Sequence, residues 1–136
     1  MAGERMEVIV DTSFLIGLWR EPRQGREILW IKRNPGKVLL LLWIVKAEFL
    51  RGARIVRHDT TQIEQFLGRF ITVWPTEKTI QIYAEQFAQL RKKNQQIGPF
   101  DLWIAASALE HGKSLLTHNQ KEFQRVPGLL LESLGE

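Results

Sequence analysis

Three carboxylates in this 136-residue chain stand where they could bind a metal ion together. Asp11 directly follows a short β-branched stretch, Glu48 lies among apolar neighbours in KAEFLRG, and Asp101 heads an apolar run in IGPFDLWIAASALEHG. Carboxylates about 4 Å apart repel each other by about 4 kcal/mol per pair at an effective dielectric of about 20. A divalent cation removes this repulsion, and oxygen ligands favour Mg²⁺ or Mn²⁺ over zinc. Together the three residues predict a divalent-metal site.

Each carboxylate also has an ordinary structural interpretation. Asp11 could begin an Asx turn, and Asp101 could cap a helix, because aspartate is favoured at N-caps. Glu48 could pair with a basic neighbour on a solvated face, namely Lys46, Arg51 or Arg54. However, Glu48 follows Ile44 by four residues, so its side chain is predicted to face inward, where an unpaired carboxylate is uncommon. One shared site explains all three residues better than three separate reasons.

The composition is that of one ordinary globular domain, which we expect to span residues 1–136. The chain is 44% hydrophobic and 25% charged, as globular proteins usually are, and it is long enough to bury a core. Its net charge of +4 favours an anionic partner such as nucleic acid. The absence of cysteine excludes disulfides and cysteine–zinc sites and fits a cytoplasmic location.

No segment predicts secretion or membrane insertion. The start MAGERMEV is charged and lacks the apolar stretch that follows in a secretory signal. The run VLLLLWIV spans only Val38 to Val45, far short of the roughly 20 residues of a membrane helix. We therefore expect no membrane partner, and we interpret this run as a buried strand that leads into a helix.

Strand and helix patterns alternate along the chain. Apolar runs predict strands at Glu7–Val10, KVLLLL, ITVW and SLLT, with GLLLE as a possible edge strand. Helical patterns are DTSFLIGLWR, GREILWIKR, WIVKAEFLRGARIV, TTQIEQFLGRF, TEKTIQIYAEQFAQLRKKNQQ, the Asp101 segment and NQKEF. Thr12 or Ser13 is placed to cap the first helix, and Gly112 to stop the sixth. This alternation predicts an α/β fold, a mostly parallel sheet with helices on both faces.

The predicted sheet collects polar residues at one edge. In open α/β sheets, ligands bind outside the carboxyl ends of the strands. Asp11 comes directly after the first strand, and residues 117–119 (THN) directly after the fourth. Glu48 lies in the helix after the second strand, and Asp101 opens the helix before the fourth. We therefore expect these positions to converge.

Three segments resemble motifs of a known family and occur in the same order along the chain: VDTSFLIGL, WIVKAEFLRGA and GPFDLWIAASALEHGKSLLTHNQKEFQRVPGL. Together they resemble the PIN-domain ribonucleases, especially the VapC-type toxins of bacterial toxin–antitoxin pairs. The third segment is the most specific, and the similarity is weakest from Arg57 to Gln96. The resemblance implies a single PIN domain with a three-layer α/β/α fold and a mostly parallel central sheet of four to five strands.

The resemblance also implies roles for individual residues. Asp11, Glu48 and Asp101 match the acidic core of the family's catalytic site and are expected to be its metal ligands. Ser13 and Thr117 match positions where the family keeps a small polar group near the metal.

Asn119 departs from the family pattern, because many PIN domains have a fourth acid at this position. Numerous VapC-like members instead have asparagine with an acid nearby, which here is Glu122. We count Asn119 among the expected catalytic residues. Whether Asn119 or Glu122 replaces the fourth acid stays open, as does a second metal ion.

The function implied by the resemblance is that of a Mg²⁺-dependent endoribonuclease, with Mn²⁺ as the alternative ion. The metal would polarise a phosphoryl oxygen and activate a water molecule, and Glu48 could act as general base. Several basic residues could attract the RNA backbone, although each could also lie on an ordinary solvated face: Arg51, Arg54, Arg91, Lys92 and Lys93.

Protein partners are implied as well. VapC-like proteins usually dimerise and are held inactive by a cognate antitoxin, so we expect a homodimer and an antitoxin. The apolar stripe of the Thr79–Leu90 helix is a candidate antitoxin contact, although it could equally pack on the sheet.

Other functions fit less well. A phosphatase of the haloacid dehalogenase type needs a second aspartate where this chain has Ser13, and a dinucleotide site needs a glycine-rich turn there. An inactive PIN-like module that binds RNA or a partner stays an alternative, favoured only by Asn119. His118 could touch a substrate phosphate. The five tryptophans could include a base-stacking platform, although packing in the core or an interface is the simpler interpretation.

Overall fold

Five strands form the centre of the protein in a computed structural model that describes residues 6–135. They are β1 (Met6–Val10), β2 (Lys37–Leu42), β3 (Ile71–Val73), β4 (Ser114–Leu116) and β5 (Leu131–Glu132). The sheet order is β3-β2-β1-β4-β5, and every described pair is parallel. The predicted sheet of four to five strands is confirmed, with β5 at one edge. The expectation of no secretory signal rested on the start of the chain, MAGERMEV. Its residues 1–5 lie outside the described residues.

Seven helices accompany these strands within residues 6–135. They are α1 (Thr12–Arg20), α2 (Arg26–Arg33), α3 (Trp43–Ile55), α4 (Thr60–Leu67), α5 (Glu77–Lys92), α6 (Pro99–His111) and α7 (Gln120–Phe123). Crossover connections between parallel strands are right-handed. The chain runs from β1 to β3 in one direction and then returns past β1 to β4 and β5, so α1–α4 and α5–α7 lie on opposite faces. The expected three-layer α/β/α architecture is confirmed.

The two central strands are apolar because both of their faces are covered. Val8, Ile9 and Val10 of β1 are at most 1% exposed, and Leu41 and Leu42 of β2 are fully buried. Continuous apolar runs are typical of such strands in parallel sheets. A shift of either strand would expose apolar surface, so the polar residues that follow the strands are held firmly at the carboxyl edge of the sheet.

Asp11 caps α1, so the prediction that Thr12 or Ser13 does so was wrong. The Asp11 carboxylate accepts a hydrogen bond from the backbone N–H of Phe14. The residue that directly follows β1 is therefore also the N-cap of α1, which leaves no linker between the strand and the helix. The candidate ligand is held by the backbone on both sides.

The start of α6 also differs from the helix-cap interpretation of Asp101. Gly98 is the N-cap, and Pro99 is the first helical residue, where the fixed φ of proline suits a helix. Asp101 lies in the first turn, where a negative charge is favoured by the helix dipole. Its carboxylate is therefore not used as a cap and is available for another role. The predicted stop at Gly112 is confirmed, since Gly112 has the left-handed φ of 62°.

The apolar stripe on α5 packs against α6. Tyr83 stacks on Trp103 with ring centroids 3.8 Å apart, and Leu90 is 1% exposed. Ile80 and Phe87 remain 48% and 45% exposed. The stripe is thus divided into a covered part and an open part.

The five tryptophans have different environments. Trp30 is buried, Trp19 contacts Phe49 and Phe66 edge-on, and Trp43 meets Trp103 edge-on. Packing therefore accounts for these four, whereas Trp74 is 65% exposed beyond β3. No helix in the described part of the chain is long and apolar enough to span a membrane.

Candidate active site

Asp11 lies at the junction of β1 and α1, and both of its carboxylate oxygens have partners. Oδ1 accepts a hydrogen bond from the N–H of Phe14 at 2.9 Å, and Oδ2 accepts one from the hydroxyl of Thr117. Asp11 is 5% exposed. Burial raises the pKa of its carboxyl group, while the hydrogen bonds from Thr117 and Phe14 oppose that shift. The side chain is therefore fixed in direction and retains lone pairs for a cation.

Thr117 connects this carboxylate to the end of β4. It is 1% exposed, and its hydroxyl donates to Asp11 and accepts from the backbone N–H of Asn119 at 2.9 Å. β1 pairs with β4 although the two strands are far apart in sequence, with Val10 beside Leu116. Strand order reverses between them, and such switch points are where α/β sheets bind ligands.

Glu48 reaches the same region from α3. It is half-buried, and its Oε1 accepts a hydrogen bond from the hydroxyl of Thr12 at 2.6 Å. Within residues 6–135, no ion pair joins Glu48 to its basic neighbours in α3. The inward-facing prediction is consistent with this contact, and the surface ion-pair interpretation is wrong for this structure.

Asp101 is surrounded by negative charge. Burial raises the pKa of Asp101 to about 6, together with the charge of Glu122, a hydrogen bond shared with Glu122, and the charges of Glu48 and Asp11. A hydrogen bond between two carboxyl groups requires a proton on one of them. The structure thus places the carboxyl groups of Glu122, Glu48 and Asp11 close enough to Asp101 to act on its pKa.

Glu122, rather than Asn119, adds a carboxylate to this group. Glu122 is half-buried in α7, and its Oε1 also accepts from the N–H of Gly98 at 3.4 Å. Asn119 is exposed, and its backbone N–H makes the contact with Thr117. Ser13 is exposed in the first turn of α1. These positions favour Glu122 as the substitute for a fourth acid, and a catalytic role of Asn119 stays a prediction.

The donor set suits a hard divalent cation. Every candidate ligand is a carboxylate oxygen, which Mg²⁺ and Mn²⁺ prefer. Within residues 6–135, no three histidine or acidic side chains stand close enough together, as the structure has them, to hold a metal ion. Mg²⁺ usually takes one or two carboxylates and keeps several water molecules, so an open arrangement with mutually repelling acids fits this ion.

Two features of the site were not predicted from the sequence. Thr12 holds Glu48, whereas it was expected to cap α1. Glu27 of α2 is 7% exposed, and its Oε2 lies 2.8 Å from Nε2 of His118. The burial of Glu27 could have been predicted. Glu27 precedes the buried Trp30 by three residues and therefore lies on the same face of α2.

Basic side chains lie at the end of the molecule that carries Asp101. Residues 93–98 connect α5 to α6, so the last turn of α5 lies near the first turn of α6. The predicted RNA-binding residues are all exposed: Arg51, Arg54, Arg91, Lys92 and Lys93. The guanidinium of Arg51 also lies 5.5 Å from the ring centroid of Phe100.

Comparisons with known proteins match nearly the whole chain. The PIN domain family model matches residues 8–129. Ribonuclease VapC1 of Haemophilus influenzae (strain R2866) is 35% identical over 127 residues, covering 91% of this chain and 95% of that protein. The tRNA(fMet)-specific endonuclease VapC of Shigella flexneri is 31% identical over 132 residues, with 93% and 97% covered. The structure of VapBC-1 from nontypeable Haemophilus influenzae has a TM-score of 0.81 and 29% identity, with 96% and 100% covered.

Proposed function

This chain belongs to the VapC ribonucleases of the PIN domain family, and from that premise we propose that it is a Mg²⁺-dependent endoribonuclease and the toxin of a toxin–antitoxin pair. The group of four carboxyl groups around Asp101 carries this proposal. Burial and the negative charges of Glu122, Glu48 and Asp11 raise the pKa of Asp101 to about 6, and a divalent cation would remove the repulsion between these carboxylates. We further propose that residues 1–136 form a single PIN domain and that it acts in the cytoplasm.

Asp11 and Asp101 are the proposed direct ligands of Mg²⁺, with Glu48 completing the acidic core. When bound, the ion supplies Lewis-acid polarisation of a phosphoryl oxygen and a lower pKa for the attacking water. Thr117 and the N–H of Phe14 hold the carboxylate of Asp11 in a fixed direction. The side chain therefore loses little conformational freedom when the ion binds.

Glu48 is the proposed general base. Its Oε1 is held by Thr12, which leaves Oε2 to accept a proton from the attacking water. Glu122 keeps Asp101 and the N-terminus of α6 together through its contacts with Asp101 and Gly98. The basic side chains on α3 and at the end of α5 would hold the RNA backbone across the acids.

RNA cleavage in the presence and absence of metal tests this proposal. We would incubate the purified protein with tRNA, hairpin RNA and single-stranded RNA in Mg²⁺, in Mn²⁺ and in EDTA. Transfer RNA comes first because the Shigella relative is named for cutting tRNA(fMet). We expect metal-dependent cleavage that Asp101→Asn lowers by at least about a hundredfold, since it removes a charged ligand.

Asp59→Asn is the matched control. Asp59 caps α4 through the N–H of Gln62, so its replacement removes an aspartate charge outside the acidic group. The control should cut RNA like the unaltered protein. Cleavage that persists in Asp101→Asn or in EDTA would contradict the proposal. The absence of cleavage, with no metal-induced rise in melting temperature, would favour the inactive-module alternative.

An antitoxin is the proposed protein partner, supported by the VapBC-1 structure as a whole-chain match. An apolar groove of about 300 Å³ lies beside Glu48, between α1 and α3. Ile55 and Val56 at its rim are 75% and 61% exposed. This groove is a better candidate contact than the α5 stripe, because half of that stripe is covered by α6.

Co-purification distinguishes the two surfaces. We would co-express the chain with the protein encoded by the neighbouring open reading frame. Ile55→Glu in the groove should abolish co-purification, and Ile80→Glu on the α5 stripe should not. The reverse result would indicate that the antitoxin binds the α5 stripe. Sedimentation of the purified chain tests the proposed homodimer, which should give twice the mass of 15.8 kDa.

A further inference from the structure

A buried glutamate outside the acidic group contacts the segment that follows β4. Glu27 lies in the first turn of α2 and is 7% exposed. Its Oε2 lies 2.8 Å from Nε2 of His118. A buried carboxylate needs a hydrogen-bonding partner, because its desolvation is otherwise unfavourable. His118 is that partner, and it stands between Thr117 and Asn119 in the chain.

The contacts of His118 define which ring nitrogen carries the proton. An ionised carboxylate only accepts hydrogen bonds, and a guanidinium only donates them. Nε2 therefore donates to Glu27, and Nδ1 accepts from Arg26, whose Nη2 lies 2.5 Å away. Two consecutive residues of α2 thus hold the imidazole ring in one orientation.

The carboxyl group of Glu27 is accommodated because Gly17 of α1 has no side chain. A Cβ at position 17 would lie 2.3 Å from both Cδ and Oε2 of Glu27. These atoms form the end of a flexible side chain, so an alanine at position 17 would displace the carboxylate rather than the helix. Gly17 therefore couples Glu27 to α1, the helix that Asp11 caps.

We propose that Gly17, Glu27 and His118 form a positioning device that fixes residues 117–119 against α1 and thereby fixes the carboxylate of Asp11. The path runs from Glu27 to His118, through the chain to Thr117, and from the Thr117 hydroxyl to Asp11. Outer partners of this kind orient a ligand without touching the metal or the substrate. The inference rests on the proposed ribonuclease function, because it concerns how one ligand of that site is held.

Cleavage kinetics test the device. Glu27→Ala should lower kcat by about ten- to a hundredfold, while KM for RNA stays within about twofold. Glu27→Gln should retain most of kcat, because an amide oxygen can still accept from Nε2. Gly17→Ala should resemble Glu27→Ala, and the double variant should be no worse than either single one, because both changes remove the same contact.

Glu110→Ala is the matched control for Glu27→Ala. The Glu110 side chain is 8% exposed, against 9% for Glu27, and it accepts hydrogen bonds from Thr76 and Thr79 at the opposite end of α6. It should leave kcat unchanged. This control separates the loss of a buried carboxylate in general from the loss of this particular one.

The imidazole ¹H–¹⁵N spectrum gives a readout that needs neither RNA nor metal. His118 should show a single tautomer protonated at Nε2 in the unaltered protein and in Glu27→Gln. Glu27→Ala and Gly17→Ala should show a mixture of tautomers. An unchanged His118 signal in Glu27→Ala would overturn the inference, whatever the protein does to RNA.

The kinetic outcomes separate this inference from the proposed function. No metal-dependent cleavage by the unaltered protein overturns the proposed function. Cleavage that is equal in Glu27→Ala and in the unaltered protein overturns the inference alone. A higher KM with an unchanged kcat also overturns it, because His118 would then be a substrate contact rather than a positioning residue.

Discussion

One hydroxyl at the end of β4 serves two parts of the site. Thr117 donates to the carboxylate of Asp11 and accepts from the N–H of Asn119, in surroundings that exclude water. A hydroxyl has one donor and two acceptor positions, so both neighbours are satisfied at once. The direction of the candidate ligand and the path of the chain beyond β4 therefore depend on the same atom.

Thr117→Val should separate these roles from packing, because valine has nearly the same shape. The N–H of Asn119 would be left without its acceptor, and Oδ2 of Asp11 would lose its donor while Oδ1 keeps the N–H of Phe14. We expect a loss of about 1–3 kcal/mol in the free energy of unfolding and at least a tenfold lower kcat. Urea unfolding and cleavage kinetics measure the two effects. Thr117→Ser should keep both hydrogen bonds, and equal behaviour of the two variants would contradict this account.

Glu110 should make stability depend on pH. Burial acts to raise its pKa, but hydrogen bonds from Thr76 and Thr79 and the charges of His111 and Lys78 outweigh this and hold the pKa of Glu110 below its ordinary 4.5. A carboxyl with a lowered folded-state pKa stabilises the fold above its unfolded pKa, and that contribution is lost as the pH falls through the folded value.

Glu110→Gln should therefore lower the melting temperature at pH 7 by about 4 °C, the shift that a loss of about 1 kcal/mol causes in a domain of this size. The difference between the variant and the unaltered protein should shrink below about pH 4.5 and vanish at lower pH. Thermal unfolding followed by circular dichroism across pH 3–7 would check this. A difference that is constant over that range would show that the charge of Glu110 is not involved.

Among the secondary-structure elements, α6 connects the acidic group to the rest of the fold. Its first turn carries Asp101, and its last turn carries Glu110. Between them Ala105, Ala106 and Ala108 are at most 1% exposed, so the middle of the helix buries small side chains. The packing of this middle part fixes where the first turn of α6, and with it Asp101, lies.

Two glycine substitutions, one at the end of a helix and one inside a helix, should change the free energy of unfolding in opposite directions. Gly112→Ala places a Cβ at a residue with φ of 62°, which should cost about 1 kcal/mol of stability. Gly52→Ala lies within the exposed part of α3 with open space around it, and it should add about 0.5–1 kcal/mol. Chemical unfolding measures both variants. A shift of the same sign in the two would contradict the conformational explanation.

For the molecule as a whole, the separation of charges is the feature that suits a polyanionic substrate. The acids gather at the carboxyl edge of the sheet. Arg51 of α3 lies against Phe100, next to Asp101 in the chain, and the exposed bases at the end of α5 precede α6 by a short connection. The net charge of the chain is +4. Long-range attraction would therefore bring RNA to the protein, while the acidic group itself requires a cation before a phosphate can approach.

Neutralising the end of α5 should weaken RNA binding without changing the chemical step. The triple variant Arg91→Gln, Lys92→Gln and Lys93→Gln should raise KM several-fold and leave kcat within about twofold. The slope of log binding constant against log salt should fall by about 0.7 for each RNA phosphate that the variant no longer neutralises.

The paired change Lys32→Gln and Arg33→Gln is the control for that variant. Both residues are exposed in the last turn of α2, which leads to the amino end of β2. Binding constants measured by fluorescence anisotropy at several salt concentrations should be nearly unaffected by it. Equal effects of the two variants would indicate general attraction rather than a binding face.

The sequence by itself determined the order of the elements and predicted which acids form the site. Continuous apolar runs such as KVLLLL are typical of strands covered on both faces of a parallel sheet, so the sheet and the edge where Asp11 emerges were predictable. Asp11, Glu48 and Asp101 were predicted as site residues because carboxylates in apolar surroundings are uncommon unless they have a partner. The resemblance to PIN domains then gave all three the same role.

Only the tertiary structure decided how these acids are held. Contacts across large sequence separations, such as Glu27 with His118 and Thr12 with Glu48, depend on how α1, α2 and α3 pack, which local patterns do not specify. The same is true of the contact between Glu122 and Asp101, which depends on the direction that α7 takes after β4. Local propensity fixes where elements form, whereas the packing of neighbouring elements fixes which polar groups meet.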